Sequence, residues 1–548
     1  MVESNNDVKV SILKKYSRAI VHMRSQLDAS KFGLVFGAGL SKSFGLPTWR
    51  ALVLDIAGDP KINGKDLLKK STKSTLPYQT QMLFEHFRKK QYRDSGNPRT
   101  REFDLTIYAD WIEIIRKSLY KKKRLLTNFE KSLFKHPYLQ YYLPIIRKTH
   151  LTVNYNFDDL IEQSLHITRE QENGKYSRGY ETVTNASLQF RSKTAIIYHP
   201  NGVVPRGPLE APSDRFIFSE HEFADQLIDL FAGDLTTLLY HFSKNTCLFI
   251  GSSLDDQTLR SLLRQMSRKN PGHFHYYISY IDSDNSRNEK IQNATRYTNF
   301  KVYNLITLFM RSEEIAALGQ LIAMKEDDFC EFAQEHGIRI KFLFYLTGPL
   351  GTGKSTAIAY FRNLTTYDEW LELRPGILSK PWNELSEEER ISADNWILDQ
   401  FRLKNNNLTR QKIGIFMIDR SPLDPLAFTQ ADKWANKAEQ LLNKMSPGQS
   451  EWKVEPGCVI LLLGDAKELS LRMKLTQRTG YTSDKLKEME DALKNVYNSN
   501  EASAHHIDTC GLSASEVAQR IAEIVHLEEY TEINLHKRLE EIKSDFDS

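Results

Sequence analysis

Short runs of apolar and β-branched residues alternate with helical stretches along the first three hundred positions: FGLVFGAG, THLTVNYNF, TAIIYHPNG, RFIFSE, NTCLFIGSS, FHYYISY and FKVYNLI. That alternation predicts an α/β fold with a mostly parallel sheet wrapped by helices. Between Asp59 and His150 the sequence becomes rich in Lys, Arg and aromatic residues at helical spacing, as in LPYQTQMLFEHFRKKQY, which predicts a helical insertion over residues 60–150. After Ile306, TLFMRSEEIAALGQLIAMKEDDFCEFAQEHG reads as helix stopped at Gly337. The strand IRIKFLFYLTG then restarts the α/β pattern through IGIFMID, CVILLLG and HHIDT. The expected organisation is therefore an α/β domain at 1–310, a helical linker at 311–338 and a second α/β domain at 339–548, with KNNNLTR as an exposed loop.

Length agrees with this division, because 548 residues exceed one core at roughly 100 to 200 residues per domain. Hydrophobic (40%), charged (26%) and aromatic (11%) fractions are those of a globular protein and exclude a disordered or fibrous chain. With 74 basic against 70 acidic residues, a formal charge of +4 gives no support to nucleic-acid binding. Cys247, Cys330, Cys458 and Cys510 lie far apart without a CxxC, so neither a disulfide framework nor a zinc site is indicated, and reduced thiols are expected. The start MVESNNDVKV lacks the pattern of a signal peptide and no run of eighteen apolar residues occurs, so the expected location is cytoplasmic, with no membrane partner.

Candidate chemistry begins at LVFGAGLSKSFGLPTW, where a strand runs into Gly37-Ala38-Gly39 and a helix. Such a loop lets the backbone approach a pyrophosphate. Lys42 stands where the dinucleotide fingerprint has its third glycine, so the loop alone reads equally as a tight strand-to-helix turn. NYNFDDLIE sets Asn156 and Asp158 two apart at a strand end, which predicts both side chains on one side of the sheet edge. IIYHPNG ends another strand in His199, and FIGSSLDDQTLR ends a third in Gly251, Ser252 and a helix-capping Asp. Ligands of open parallel sheets bind at the carboxyl ends of strands, so these pieces are expected around one crevice.

GAGLSKSFGLPTW, NYNFDDLIE, IYHPNG, FSEHEF and FIGSSLDDQTLR follow one another in the order found in the sirtuin superfamily, and the region from residue 30 to 310 resembles the bacterial defence-associated sirtuin-like enzymes. The resemblance implies a Rossmann-like fold that binds NAD and cleaves its nicotinamide–ribose bond. It implies that Asn156 orients the attacking water and ribose hydroxyls, that His199 serves as general base, and that Asp158 binds a ribose hydroxyl or holds neighbouring loop groups. Gly37, Ala38, Gly39 and Ser41 would hold the pyrophosphate, and Gly251 with Ser252 the adenosine side. The chain departs from its relatives at Asn154, where they have Thr, and at His199-Pro200-Asn201-Gly202, where many have His-x-His-Gly. The deacetylases of the superfamily carry a four-cysteine zinc ribbon, which Cys247 alone cannot build, so a glycohydrolase is expected rather than a protein deacylase.

A second glycine loop, GPLGTGKST, fits G-x-x-x-x-G-K-[ST] between an apolar strand and the helix TAIAYFRNL. Backbone N–H groups of such a loop, here running through Gly348, Gly351, Gly353 and Thr356, cradle phosphates, while Lys354 neutralises the β/γ oxygens and Ser355 takes Mg²⁺. KIGIFMIDRSPLDPLAF ends a buried strand in Asp419-Arg420-Ser421, and VILLLGDAKELSLRMKLTQRTGYT supplies Arg472, Lys474 and Arg478, either lid cations or a solvated helix face. The segment 340–530 resembles the nucleoside and nucleoside-monophosphate kinases, which implies ATP and Mg²⁺, with Asp419 as base or Mg²⁺ partner and Arg420 on acceptor or phosphate.

Together these features lead us to expect an NAD glycohydrolase forming nicotinamide and ADP-ribose, an antiviral effector of abortive infection gated by a nucleotide-binding kinase-like domain. The alternative is a nucleoside or nucleoside-monophosphate kinase carrying a regulatory NAD-binding module. Expected partners are small-molecule nucleotides, further copies of the chain in a homo-oligomer, and a phage-derived or operon-encoded trigger.

Overall fold

Phe32–Phe36, five buried residues of which four are large and apolar, form the strand at the centre of the first sheet. In a computed structural model, which describes residues 5–96, 100–121, 129–171, 179–184, 195–206, 213, 216–232, 235–254, 256–281, 288–380, 384–445, 453–475, 481–498 and 503–545, the chain is α/β with two all-parallel sheets. The first contains β1 (Phe32–Phe36), β2 (Leu151–Asn154), β3 (Tyr180–Val183), β4 (Ala195–Tyr198), β5 (Thr246–Ile250), β6 (His275–Tyr280) and β7 (Leu305–Met310) in the order β3-β4-β2-β1-β5-β6-β7. Chain order reverses between β1 and β5, the switch point at which sheets of this kind open a crevice. Register makes that edge flush: Phe36 pairs with Asn154 on one side and Ile250 on the other, so β1, β2 and β5 end level.

Beyond the short helix Ala38–Lys42, six further helices lie between β1 and β2 among the described residues, Trp49–Ala57, Lys65–Lys70, Leu76–Ser95, Arg101–Leu119, Phe129–Lys135 and Leu139–Lys148. Three of them start on a threonine, Thr48, Thr75 or Thr100, whose side chain accepts the N–H three residues on. Two expected strands differ. FKVYNLI is divided, with Phe300–Tyr303 closing the helix Glu289–Tyr303 and the strand starting only at Leu305. In RFIFSE, Phe216–Phe218 form a buried segment without ladder partners, packed on Phe157. The edge strand β3 had no strong apolar run to announce it.

The second sheet holds β8 (Lys341–Thr347), β9 (Thr365–Tyr367), β10 (Gly414–Asp419), β11 (Cys458–Leu463) and β12 (His505–Asp508), ordered β12-β11-β8-β10-β9. Leu343, Tyr345, Phe416, Ile418, Val459 and Leu461 of its strands form one core with Trp434, Leu441 and Leu539. KNNNLTR is not a loop: it lies in the helix Glu387–Thr409 but for its last residue, with Lys404 and Asn405 buried, because the polar groups of both find partners there. One compact unit takes in Met1–Lys15, Met23–Lys269 and Phe274–Lys325, and the other Tyr16–His22, Asn270–His273 and Glu326–Ser548. The segment expected as a linker is two helices apportioned between them, Ser312–Ala323 to the first and Glu326–Glu335 to the second. Among the described residues the four cysteines are free and no helix is long and apolar enough to cross a membrane.

At the flush edge two backbones approach so closely that side chains are excluded. A Cβ on Gly37 would lie 2.6 Å from Gly251 O, and one on Gly251, whose φ is +71°, would lie 2.7 Å from Leu40 N. Gly251→Ala should therefore destabilise the first unit by about 2 kcal/mol or more. Denaturant unfolding of the full chain checks this, and an unchanged transition would contradict the close approach.

Candidate functional site

Asn154 ends β2 by accepting the N–H of Asn156 on its own side-chain Oδ1 (3.1 Å), a turn that bends the chain out of the ladder. Asn156 and Asp158 thus lie on a bend, not on one face of a strand as their spacing predicted. They converge all the same. Asn156 Nδ2 donates to Gly37 O (3.0 Å) and to Ser41 Oγ (3.0 Å), and Ser41 Oγ donates to Asp158 Oδ2 (2.6 Å). Ser41 belongs to the short helix Ala38–Lys42 that follows β1. Leu160 N donates to Asp158 Oδ1, so both carboxylate oxygens have donors. Burial nevertheless pushes the Asp158 carboxyl up to about 6, against the pull of those two hydrogen bonds.

The glycines of the first loop bind the neighbouring strand. Gly37 N–H donates to Ile250 O (3.0 Å) and Gly39 N–H to Gly251 O (2.9 Å), so these two amides join the loop to the end of β5. Ala38 opens the short helix beside them. Ser252 O accepts from the Tyr277 hydroxyl (2.8 Å), and the capping Asp of this segment is Asp256, which accepts Leu259 N–H (2.8 Å). FSEHEF brings Phe218 and Phe223 onto the Trp49 ring at the end of the glycine loop, with centroids 6.1 and 5.4 Å away.

His199 follows β4 directly and is fully buried. Its Nδ1 lies 2.9 Å from Asn156 O and its Nε2 2.7 Å from Glu162 Oε1, so both ring nitrogens are engaged. Both ring nitrogens of His199 are thus occupied in this structure, one of them by the backbone carbonyl of Asn156, which the ring holds in place. Burial drives the His199 pKa down, but the Glu162 carboxylate and the Asn156 carbonyl outweigh it and leave the ring above its usual value. Glu162, in the first turn of the helix Leu160–Gln171, is the member of this cluster that sequence reasoning missed, although it is the last residue of NYNFDDLIE.

In the second unit the loop after β8 turns at Gly348, where φ is +145° and a Cβ would lie 2.4 Å from Leu462 O. Gly351 packs against Leu469 and Met473, and Gly353 caps the helix Lys354–Ala359, which carries Ser355 and the exposed Thr356. Lys354 Nζ donates to Gly348 O and Pro349 O (both 2.8 Å). Ser355 Oγ donates to Asp419 Oδ2 (2.8 Å), while Asp419 Oδ1 is buried without a hydrogen-bond partner among the described residues. Arg420, at φ +68°, donates from Nε to Glu369 Oε1 (2.6 Å) and from Nη1 to Asp424 Oδ2 (3.4 Å). Lys404 Nζ reaches Asp419 O (2.7 Å), and the Tyr497 and Thr347 hydroxyls both donate to Asp424 Oδ1 (2.6 Å each). Burial, aided by the Arg420 charge, lowers Lys354 to about 7, and burial lowers Lys404 to about 8.

Arg472 is not aimed at the loop as a free cation: on the helix Ala466–Leu475 it binds Glu468 Oε1 (2.6 Å) and Thr509 O (2.9 Å). Arg478 lies outside the described residues. Glu369, Lys404, Asp424 and Tyr497 were missed. Asp424 lay in plain view five residues after Asp419, whereas Lys404 was hidden in the segment read as a loop.

Residues 150–303 match the SIR2-like domain family. That SIR2-like segment contains Asn156, Asp158, Glu162, His199, Gly251 and Ser252, and the glycine loop at 37–41 lies before it. No curated protein matches the chain. Similar solved structures include a tunicamycin resistance protein of Deinococcus radiodurans, with 17% identity and a TM-score of 0.23 over 34% of this chain and 97% of that one. Another is a gluconokinase from Sinorhizobium meliloti, with 16% identity and a TM-score of 0.22 over 38% and 97%.

A folded pKa raised above the unfolded value of 3.8 means that ionising Asp158 opposes folding. Its contribution is fully present below about pH 4 and is lost as pH rises through about 6. Asp158→Asn removes this titration, so between about pH 4 and 7 the stability difference should move against the parent by roughly 1–3 kcal/mol. Denaturant titrations at several pH values check it; a difference that stays constant would show the carboxyl to be solvated.

Proposed function

We propose that the first unit hydrolyses NAD to nicotinamide and ADP-ribose, and that the second binds a Mg²⁺-nucleotide and gates that activity. The observation that carries the reading is the convergence of Asn156, Ser41, Asp158 and His199 at the carboxyl ends of β1, β2 and β4, largely within the SIR2-like segment. When bound, NAD supplies a pyridinium leaving group: the ribose C1′–N bond breaks with its electron pair going to nicotinamide, water forms the new C1′–O bond, and its proton is released. Because the leaving group is neutral and the ribose becomes cationic, positioning and electrostatics carry most of the catalysis.

Asn156 fits the orienting role. Both its N–H groups are directed to Gly37 O and Ser41 Oγ, and its Oδ1 takes no donor among the described residues, which leaves that oxygen to accept from water or a ribose hydroxyl. Asp158, ionised above about 6, supplies negative charge to the same crevice. Asn156→Ala should lower nicotinamide release by at least about a hundredfold in a chain that still folds, with stability reduced by about 1–3 kcal/mol for the buried hydrogen bonds lost. Chromatography of NAD incubations checks this, and undiminished release would sink the site assignment.

In the second unit, the orphaned Asp419 Oδ1 and the adjacent Ser355 hydroxyl suit Mg²⁺ held through a nucleotide. Lys354 would exchange two loop carbonyls for phosphate oxygens and become fully ionised, so binding near neutral pH should take up protons. Unchecked NAD cleavage would exhaust a cell, and the role we propose is that of an abortive-infection effector, released by a phage-derived or operon-encoded trigger and acting as a homo-oligomer. Lys354→Ala should weaken ATP binding at least about tenfold and change NAD turnover measured with ATP present. If calorimetry shows ATP binding lost while NAD turnover with and without ATP matches the parent, the units are merely tethered.

A further inference from the structure

Glu162 has a side chain with no exposed surface, and its Oε2 has no hydrogen-bond partner among the described residues. Its other oxygen faces His199 Nε2 at 2.7 Å and receives only a long contact from the Thr182 hydroxyl (3.4 Å). A carboxylate buried in this way is costly unless a charge or a proton answers it.

Hydrogen-bond roles are fixed by the carbonyl on the far side of the ring. Asn156 O can only accept, so His199 Nδ1 carries a proton. A separation of 2.7 Å between Nε2 and a carboxylate oxygen then requires one further proton between them, giving either imidazolium with carboxylate or imidazole with carboxylic acid. The same single proton serves both descriptions. Among the described residues, Asp158 on the bend after β2 also favours the protonated ring, and Asp159 beside it faces Glu162.

We propose that Glu162 is a positioning residue of the NAD site, sharing a proton with His199 so that the ring holds the Asn156 carbonyl and keeps the Asn156 carboxamide between Gly37 and Ser41. The inference rests on the NAD-hydrolase reading for its catalytic consequence but not for the shared proton. The line of contact runs from the helix Leu160–Gln171 through the end of β4 to the bend after β2 and on to the loop after β1, each link a hydrogen bond between buried groups. Glu162 touches no substrate. It acts by denying the ring its other orientations and by keeping both ring nitrogens protonated or matched.

Glu162→Gln retains the shape and removes the shared proton. It should lower kcat for nicotinamide release about ten- to hundredfold, the range seen where partners orient metal-bound histidines, while KM for NAD stays within about threefold. His199→Gln should have a similar effect, and the double variant should be no slower than His199→Gln alone, because both act through one link. A kcat within about twofold of the parent, a change confined to KM, or losses that multiply in the double variant would each overturn the proposal. A second measurement needs neither turnover nor NAD: in protein with ¹⁵N-labelled histidine, the shared proton should give a far-downfield resonance coupled to a histidine nitrogen, absent from Glu162→Gln and His199→Gln. Its absence from the parent overturns the proposal even where nicotinamide is released. Its presence in a parent that releases no nicotinamide supports the shared proton and sinks the NAD-hydrolase reading instead.

Discussion

A carboxamide has two N–H groups, and in Asn156 both are committed, one to the carbonyl of Gly37 at the end of β1 and one to the Ser41 hydroxyl beyond it. The same residue's backbone carbonyl is held by His199 at the end of β4, and its backbone N–H by Asn154. One residue thus ties three strand ends, and its side chain cannot turn without breaking buried hydrogen bonds. Asp158 and Glu162 are the acidic groups that this arrangement brings indoors: burial raises the pKa of Asp158, and Glu162 raises that of His199 against burial.

The second unit solves a related problem with paired charges. Lys354, Lys404 and Arg420 stand among Asp419, Asp424 and Glu369, and the network is buried enough that the two lysines are depressed while Arg420 is held above its usual value by the carboxylates against burial. Arg420 sits in the left-handed region, which costs a non-glycine residue about 1 kcal/mol or more, and its two ion pairs offset that strain. The positive charge is thus already answered within the fold, and the loop lysine is bonded to its own carbonyls.

Much of this was legible from periodicity and spacing. Buried central strands such as Phe32–Phe36 and Cys458–Leu463 are largely apolar runs, and Gly37, His199 and Gly251, which follow strands, and Asp419, which closes one, fall at strand ends as their position in the sequence indicated. What stayed hidden depends on contacts distant in sequence. Tyr180–Val183 becomes a strand because β4 pairs with it, and Lys404 is buried in a helix because the carbonyl of Asp419 is there to receive it. Glu162 could not be told from any surface helix glutamate without knowing that the fold sets His199 against it, 37 positions away. The bend at Asn154 is a further case: period-two reasoning put Asn156 and Asp158 on one side, and a side-chain-to-backbone hydrogen bond did the work instead.

The level edge formed by Phe36, Asn154 and Ile250 has a consequence for how such a chain can change. Advancing or retracting any of these strands by one residue shifts its end by about 3.3 Å and turns every side chain to the opposite face. Gly251 would then no longer meet Gly37, and Asn156 would lose both of its acceptors. Composition within the strands is open to apolar exchange, but their residue count is not. Changes of length are compatible with this edge only in the connections, and the long helical stretch between β1 and β2 is one place where this chain has room for them.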